Sequence, residues 1–235
     1  MTPGGLWRLA LLVLWLMLCL VCWTAANLLG RGQYFVRLFL GGAGRILGLR
    51  VSCSGPPVSA HVLYVANHIS WLDILVLGGS TDARFIAKSE IARWGLIGWL
   101  ARVANTVFVS RERRSETRVQ ASAVADALRC HQPVAMFAEG STGDGLAVNP
   151  FKPSLFAAAI EAGAQVQPVA IDYGSGRAEY AWPRELRFPA EMKRILNRGS
   201  PIPVRLHFLP PLDARLFDRK QLAASSHAAV VAALL

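Results

Sequence analysis

The chain has 235 residues, 53% of them hydrophobic and 17% charged, with a formal net charge of +10. That length accommodates one domain plus an appendage, and a mean hydropathy of +0.36 is too apolar for a domain surrounded by water on every side. Basic charge with apolar excess points to an anionic membrane surface. Nucleic acid is the competing reading, but no nucleic-acid module and no Cys/His zinc spacing is present, so it is not expected.

Residues 9–29 form an uncharged run between Arg8 and Arg31, long enough to span a bilayer core as a helix. The run is long for a signal-peptide core and lacks a clear cleavage pattern, which favours an uncleaved anchor, crossing the bilayer or lying in one leaflet. Cys19 and Cys22 form a C-x-x-C within it, where a thiol serves as a small apolar residue. Nothing asks for a disulfide, so the expected site is the cell (inner) membrane with the active site on the cytoplasmic side. Arg31, Arg37, Arg45 and Arg50 follow with no acid before Asp73, interleaved with Phe35, Leu38, Phe39, Leu40, Ile46 and Leu47. This pattern predicts a basic amphipathic helix at the lipid phosphates. Residues 1–50 are therefore read as anchor and basic segment, and 51–235 as the second domain.

Gly55-Pro56-Pro57 breaks the chain. Short apolar strands are then expected at 62–66, 83–87, 106–109, 134–138, 166–171 and 204–208. Helices are expected at 71–78, 90–103, 112–130, 154–162 and from 214 onward. In the third helix Val119, Ala123 and Ala127 recur every four residues and mark its apolar face. The alternation predicts an α/β fold with a central, mostly parallel sheet flanked by helices. Residues 174–200, rich in Gly, Pro and charge, read as a long excursion between strands.

In such folds chemistry gathers at the carboxyl ends of strands. The first polar strand end is Asn67-His68-Ile69-Ser70-Trp71-Leu72-Asp73. Residues five apart on one helix point about 140° away from each other, so His68 and Asp73 cannot both be helical and still meet. With Ser70 as N-cap, Asp73 falls at N3 of a capping box and leans back toward His68, leaving one imidazole nitrogen for a substrate. On spacing alone, a capping Asp73 and an idle loop histidine stand equally open. The second strand end runs Phe137-Ala138-Glu139-Gly140-Ser141-Thr142-Gly143, a small-residue turn able to approach an anion; Glu139 either binds a substrate hydroxyl or holds the turn together. The third carries Arg111, a candidate phosphate partner.

Taken together, these segments resemble the glycerolipid (lysophosphatidic acid-type) O-acyltransferase family. Asn67-His68-x-Ser70-x-x-Asp73 is similar to its H-x4-D signature, and Phe137-x-Glu139-Gly140-Ser141 to its Phe-Pro-Glu-Gly-Thr block. Val107-Phe108-Val109-Ser110-Arg111 resembles its arginine motif, Val166-x-Pro168-Val169-Ala170 its late Val-Pro-Val block, and Phe151-Lys152-x-Ser154 the segment after its glutamate motif. The motifs keep the family's order over residues 60–175. The resemblance implies acyl transfer from acyl-CoA or acyl carrier protein to a lysolipid hydroxyl, with His68 as general base and Asp73 orienting it. It implies no metal and no bound cofactor. Asn67, Ser70, Arg111, Glu139, Gly140, Ser141, Thr142 and Lys152 become candidates for acceptor binding, and Lys88, Trp94 and Leu96 for an acyl groove along 90–103. Plain core packing explains such an apolar stripe as well.

Ala138 and Ser141 replace the family's usual proline and threonine, and Thr142 stands where many members carry an arginine thought to meet the acceptor phosphate. The run Ser-Thr-Gly-Asp-Gly is similar to that of the bacterial lyso-ornithine lipid acyltransferase branch, whose acceptor lacks a phosphate. Lysophosphatidic acid is ranked first as acceptor and lyso-ornithine lipid second. A lipase or thioesterase is disfavoured by the lack of a G-x-S-x-G elbow, and a noncatalytic lipid-binding module by the intact motifs.

Overall fold

The computed structural model describes residues 1–109, 114–182 and 186–235. Helices Pro3–Asn27 (α1) and Gly32–Ile46 (α2) precede strands Leu49–Ser54 (β1) and Val62–Ala66 (β2). Helix Leu72–Ser80 (α3), strand Arg84–Lys88 (β3), helix Gly95–Val103 (α4) and strand Val107–Val109 (β4) follow. Next come helix Arg114–Arg129 (α5), strand Val134–Phe137 (β5), helix Phe156–Ala162 (α6) and strand Gln165–Asp172 (β6). The chain continues through helices Arg177–Tyr180 (α7) and Phe188–Leu196 (α8), strands Ile202–Phe208 (β7) and Leu212–Asp213 (β8), and helix Arg219–Ala233 (α9).

The strands form one sheet in the order β1-β7-β6-β2-β5-β3-β4, with β8 also on β6. β6, β2, β5, β3 and β4 run parallel to their neighbours among themselves, and β7 runs antiparallel to β6. All five residues of β2 are buried, as expected of a parallel strand covered on both sides. Side-chain alternation sends Val62, Tyr64 and Ala66 into a core shared with α2, α3 and α8. Leu63 and Val65 enter the opposite core, with α5, α6 and α9. The mixed α/β architecture with a central, mostly parallel sheet agrees with expectation.

Several local expectations need correction. The sequence reading places no strand before 62, yet β1 pairs in parallel with β7 from Leu49↔Ile202 to Ser54↔His207. Its burial is confined to Leu49, so no alternating pattern announces it. The expected helix 90–103 is split into a 3-10 turn at Ser89–Arg93 and α4, because Gly95 takes a positive φ of 44° at the joint. In α5 Ala123 is exposed, and Val124, Ala125 and Leu128 are buried; the larger side chains, not the alanine repeat, face the sheet. The 174–200 excursion contains α7 and α8, whose Ile195 and Leu196 are buried, together with a fully buried Glu191 paired to Arg194 at 2.7 Å.

α1 and α2 form a hairpin in which Trp15 Nε1 donates to Phe39 O at 3.2 Å. The start of α1 is latched to the end of α8. Thr2 N and Oγ1 donate to Asn197 Oδ1 at 2.8 and 3.0 Å, and Arg8 donates to the carbonyls of Leu196 and Arg198, where the α8 dipole favours a cation. The outward side of α1 carries Leu14, Met17, Leu18 and Val21 in the open. The helix is long and apolar enough to cross a membrane.

α2 crosses α3 where Gly41 meets Gly79. A Cβ on Gly79 would lie 2.6 Å from Gly41 Cα, a backbone atom that cannot step aside. Gly79→Ala is therefore expected to lower stability by about 1–3 kcal/mol, seen as a Tm fall of ~2–4 °C per kcal/mol in thermal unfolding. Gly4→Ala, with nothing within 4 Å, is expected to leave Tm unchanged.

Candidate active site

The site stands on three strand ends that parallel pairing brings side by side. At the end of β2, Asn67 is buried and its amide clamps the backbone of β6: Nδ2 donates to Ile171 O at 3.0 Å and Oδ1 accepts from Ile171 N at 2.8 Å. The side chain thus continues a ladder that the backbone has just left at Ala66↔Val169. This turns the next residue, His68, out of the sheet.

Four contacts fix His68. Its peptide N–H donates to Glu139 Oε1 at 2.7 Å, and its carbonyl accepts from Gly143 N at 2.7 Å. The imidazole stacks on Phe137 with ring centroids 4.0 Å apart and planes 10° from parallel. Nδ1 lies 2.8 Å from Asp73 Oδ2. Since a carboxylate only accepts, the neutral ring carries its proton on Nδ1 and its lone pair on Nε2. Nε2 has no hydrogen-bond partner among the described residues.

Asp73 is 0% exposed. Its Oδ2 also accepts from Ile69 N at 2.8 Å and Ser70 N at 2.9 Å, and its Oδ1 accepts from Tyr173 OH at 2.6 Å. Asp73 sits in the first turn of α3, where the helix dipole favours an anion. The expected fold-back toward His68 is therefore present, but only half of the expected capping box. The carboxylate reaches the Ser70 N–H, whereas Ser70 Oγ accepts from Leu72 N at 3.4 Å and the helix begins at Leu72. Trp71 has helical backbone angles and displaces Ser70 as the boundary residue.

Tyr173 was missed from sequence. It follows β6, the third of these strand ends, and that position is the signal that could have found it. Burial pushes its phenol well above the usual range, with the Asp73 charge and the hydrogen bond adding to the shift, so the hydroxyl stays a donor.

Glu139 is buried with both oxygens in use. Oε1 holds the His68 N–H, and Oε2 accepts from Asn149 N at 2.9 Å and Nδ2 at 2.8 Å. Of the two roles open in sequence, it takes the structural one and locks the second motif to the first. Gly140 adopts a φ of 78° at this turn, Ser141 is exposed and Thr142 is half-buried beside it. Lys152 donates its backbone N–H to Ala138 O and leaves its side chain exposed. Ser70 is fully buried and faces its own helix start, so its contribution is to local geometry. Because the N–H groups of His68, Ile69 and Ser70 are all engaged by carboxylates, a developing oxyanion must find its donors elsewhere.

Arg111 lies outside the described residues. Lys88 is exposed at the end of β3, and Trp94 and Leu96 are 45% and 61% exposed. The latter two form open apolar surface rather than the wall of a closed channel. Trp94 joins Trp71 and Trp182 around Phe188, with centroids 6.3, 5.5 and 5.7 Å from it, and Trp182 N donates to Ile69 O at 2.8 Å.

A family model described as Acyltransferase matches residues 50–172. A lyso-ornithine lipid O-acyltransferase of Rhodobacter capsulatus is 40% identical over 194 residues, covering 79% of this chain and 70% of that protein. A protein of the same name from Brucella abortus is 39% identical, covering 76% of this chain and 73% of its own length. A 1-acyl-sn-glycerol-3-phosphate acyltransferase of Neisseria meningitidis is 36% identical, covering 72% and 67%. The crystal structure of a 1-acyl-sn-glycerophosphate acyltransferase from Thermotoga maritima matches with a TM-score of 0.66 over 97% of this chain and 95% of that one, at 23% identity, which shows a shared fold.

Removing the phenol in Tyr173→Phe leaves Asp73 Oδ1 unsatisfied, which is expected to lower stability by about 1–3 kcal/mol. With the imidazole less firmly held, kcat is expected to fall about tenfold while KM stays near wild type; chemical denaturation and steady-state kinetics check both. Glu139→Gln puts an NH2 against donors on one side or the other. Its effect on stability is expected to be strongly non-additive with Asn149→Ala in a double-mutant cycle.

Proposed function

The chain belongs to the Acyltransferase family, and from that premise we propose that it acylates lyso-ornithine lipid with His68 as general base. It is an O-acyltransferase whose relatives join a lysolipid acceptor to an acyl donor. The observation that carries the mechanism is the 2.8 Å contact between His68 Nδ1 and a fully buried Asp73, with Nε2 left for substrate. Nε2 takes the proton from the acceptor hydroxyl as that oxygen attacks the thioester carbonyl. The tetrahedral intermediate collapses to the new ester, and the departing thiolate receives the proton from the imidazolium. Asp73 stabilises that imidazolium through the interval. No metal and no bound cofactor enter these steps.

The acceptor ranked second from sequence moves to first. Supporting this are the relatives of that name at 40% and 39% identity and Thr142 in the place of a phosphate-binding arginine. Lysophosphatidic acid remains the second reading because of the Neisseria meningitidis relative. The apolar α1 and the lipid substrates of the relatives indicate membrane association. We further propose that the catalytic domain faces the cytoplasm across the inner membrane, where acyl-CoA and acyl carrier protein are both available as donors. The net charge of +10 suits an acidic carrier protein as well as an anionic bilayer.

Purified protein is expected to convert lyso-ornithine lipid, with either donor, to a product heavier by one acyl group in mass spectrometry. Product from lysophosphatidic acid alone would overturn the acceptor. His68→Ala is expected to abolish transfer while the protein still binds vesicles; retained turnover would sink the mechanism. Thr142→Arg is expected to shift the preference toward lysophosphatidic acid by about tenfold, the worth of one charge-assisted hydrogen bond.

A further inference from the structure

A concavity lies away from His68, between α2, α3 and the edge strand β1, with a volume of about 890 Å³. That is within the ~300–1,000 Å³ of small-molecule sites. Its accessible apolar lining is the half-buried Ile46 and the 40% exposed Val51, above the buried Leu49, Leu75 and Val76. Arg45 and Arg50 line it, and no Asp or Glu does. Neither arginine has an acidic partner among the described residues, whereas Arg37 on the same helix is paired with Asp82 at 3.4 Å. None of His68, Asp73, Phe137 or Glu139 lines the groove.

The occupant follows from this chemistry. A groove with accessible apolar side chains and two guanidinium groups without counter-charge matches a molecule with a hydrocarbon tail and an anionic head. Its α2 wall belongs to the hairpin whose other helix, α1, exposes Leu14, Met17 and Leu18. Addition of a further strand along β1 is opposed by the Arg50 charge on that edge. We propose that this groove seats an anionic phospholipid of the surrounding bilayer, one acyl chain along Ile46 and Val51 and the phosphate at Arg45 and Arg50. This lipid is bound, not acylated. The inference rests on membrane association and is independent of which lysolipid is the acceptor.

Cys53 lines the groove and is exposed, and Cys130 is exposed on a different part of the molecule. The rate of Cys53 alkylation therefore reports occupancy, with Cys130 as internal reference, both read by peptide mass spectrometry on the full chain in detergent micelles. Dioleoylphosphatidylglycerol is expected to slow Cys53 alkylation by about fivefold per engaged arginine without affecting Cys130. Dioleoylphosphatidylcholine and inorganic phosphate are expected to give no such protection. Arg45→Gln/Arg50→Gln is expected to lose the protection while acyl transfer in micelles stays at the wild-type rate, and Arg45→Lys/Arg50→Lys to keep most of it. Equal protection by the two phospholipids, protection by phosphate alone, or protection persisting in the glutamine variant would overturn the proposal. So would joint loss of protection and turnover, which would assign the arginines to catalysis. Because turnover is read in parallel, failure of the groove and failure of the acyltransferase reading give different results.

Discussion

The structure depends on a carboxylate taken out of water. A buried charge is tolerated only when its lone pairs are met by donors, and Asp73 meets four: the His68 ring, two consecutive backbone N–H groups and the Tyr173 hydroxyl. These come from the exit of β2 and the exit of β6, while Asp73 itself comes from the first turn of α3. The orientation of the His68 ring is therefore a property of the assembled sheet. No local peptide could hold it, since the phenol arrives from a hundred residues away.

A second buried carboxylate does for the loops what Asp73 does for the ring. Glu139 receives the His68 N–H on one oxygen and both donors of Asn149 on the other. Two motifs far apart in sequence are thereby fused, and Phe137 is brought flat against the imidazole. The excursion between β6 and β7 extends the connection outward. Tyr173 packs on Tyr180 at 5.5 Å, Arg198 lies 4.7 Å over the Tyr180 ring and pairs with Glu179 at 2.6 Å, and the Arg198 carbonyl receives Arg8 from α1. A continuous set of contacts thus joins the apolar helix α1 to the buried Asp73 carboxylate.

Much of this was legible in the chain. The strand-then-polar-break pattern marks β2, β5 and β6, and since residues five apart cannot share a helix face, the spacing puts His68 outside α3 and Asp73 within it, as found. Legibility failed where the deciding contact was tertiary. Tyr173 is an ordinary aromatic after a strand until Asp73 is beside it. β1 has one buried residue, so its pairing with β7 leaves no periodic trace. The excursion hid two helices because its glycines and prolines outweigh the short apolar stripe of α8. The alanine repeat of α5 misled because alanine is small enough to be exposed at little cost, whereas Val124 and Leu128 are not.

The parallel stacking of His68 on Phe137 also bears on selectivity. An imidazole lone pair lies in the plane of its ring. With one face covered by a phenyl group 4.0 Å away and Nδ1 tied to Asp73, both the tilt and the rotation of the ring are restrained. The line along which a proton can be taken is thereby fixed relative to the sheet. Two hydroxyls on one acceptor can lie equally near Nε2, and under the proposed mechanism only the one that meets that line in the plane of the ring would become nucleophilic. Regiochemistry then becomes a matter of approach angle, set by an aromatic neighbour that takes no part in proton transfer.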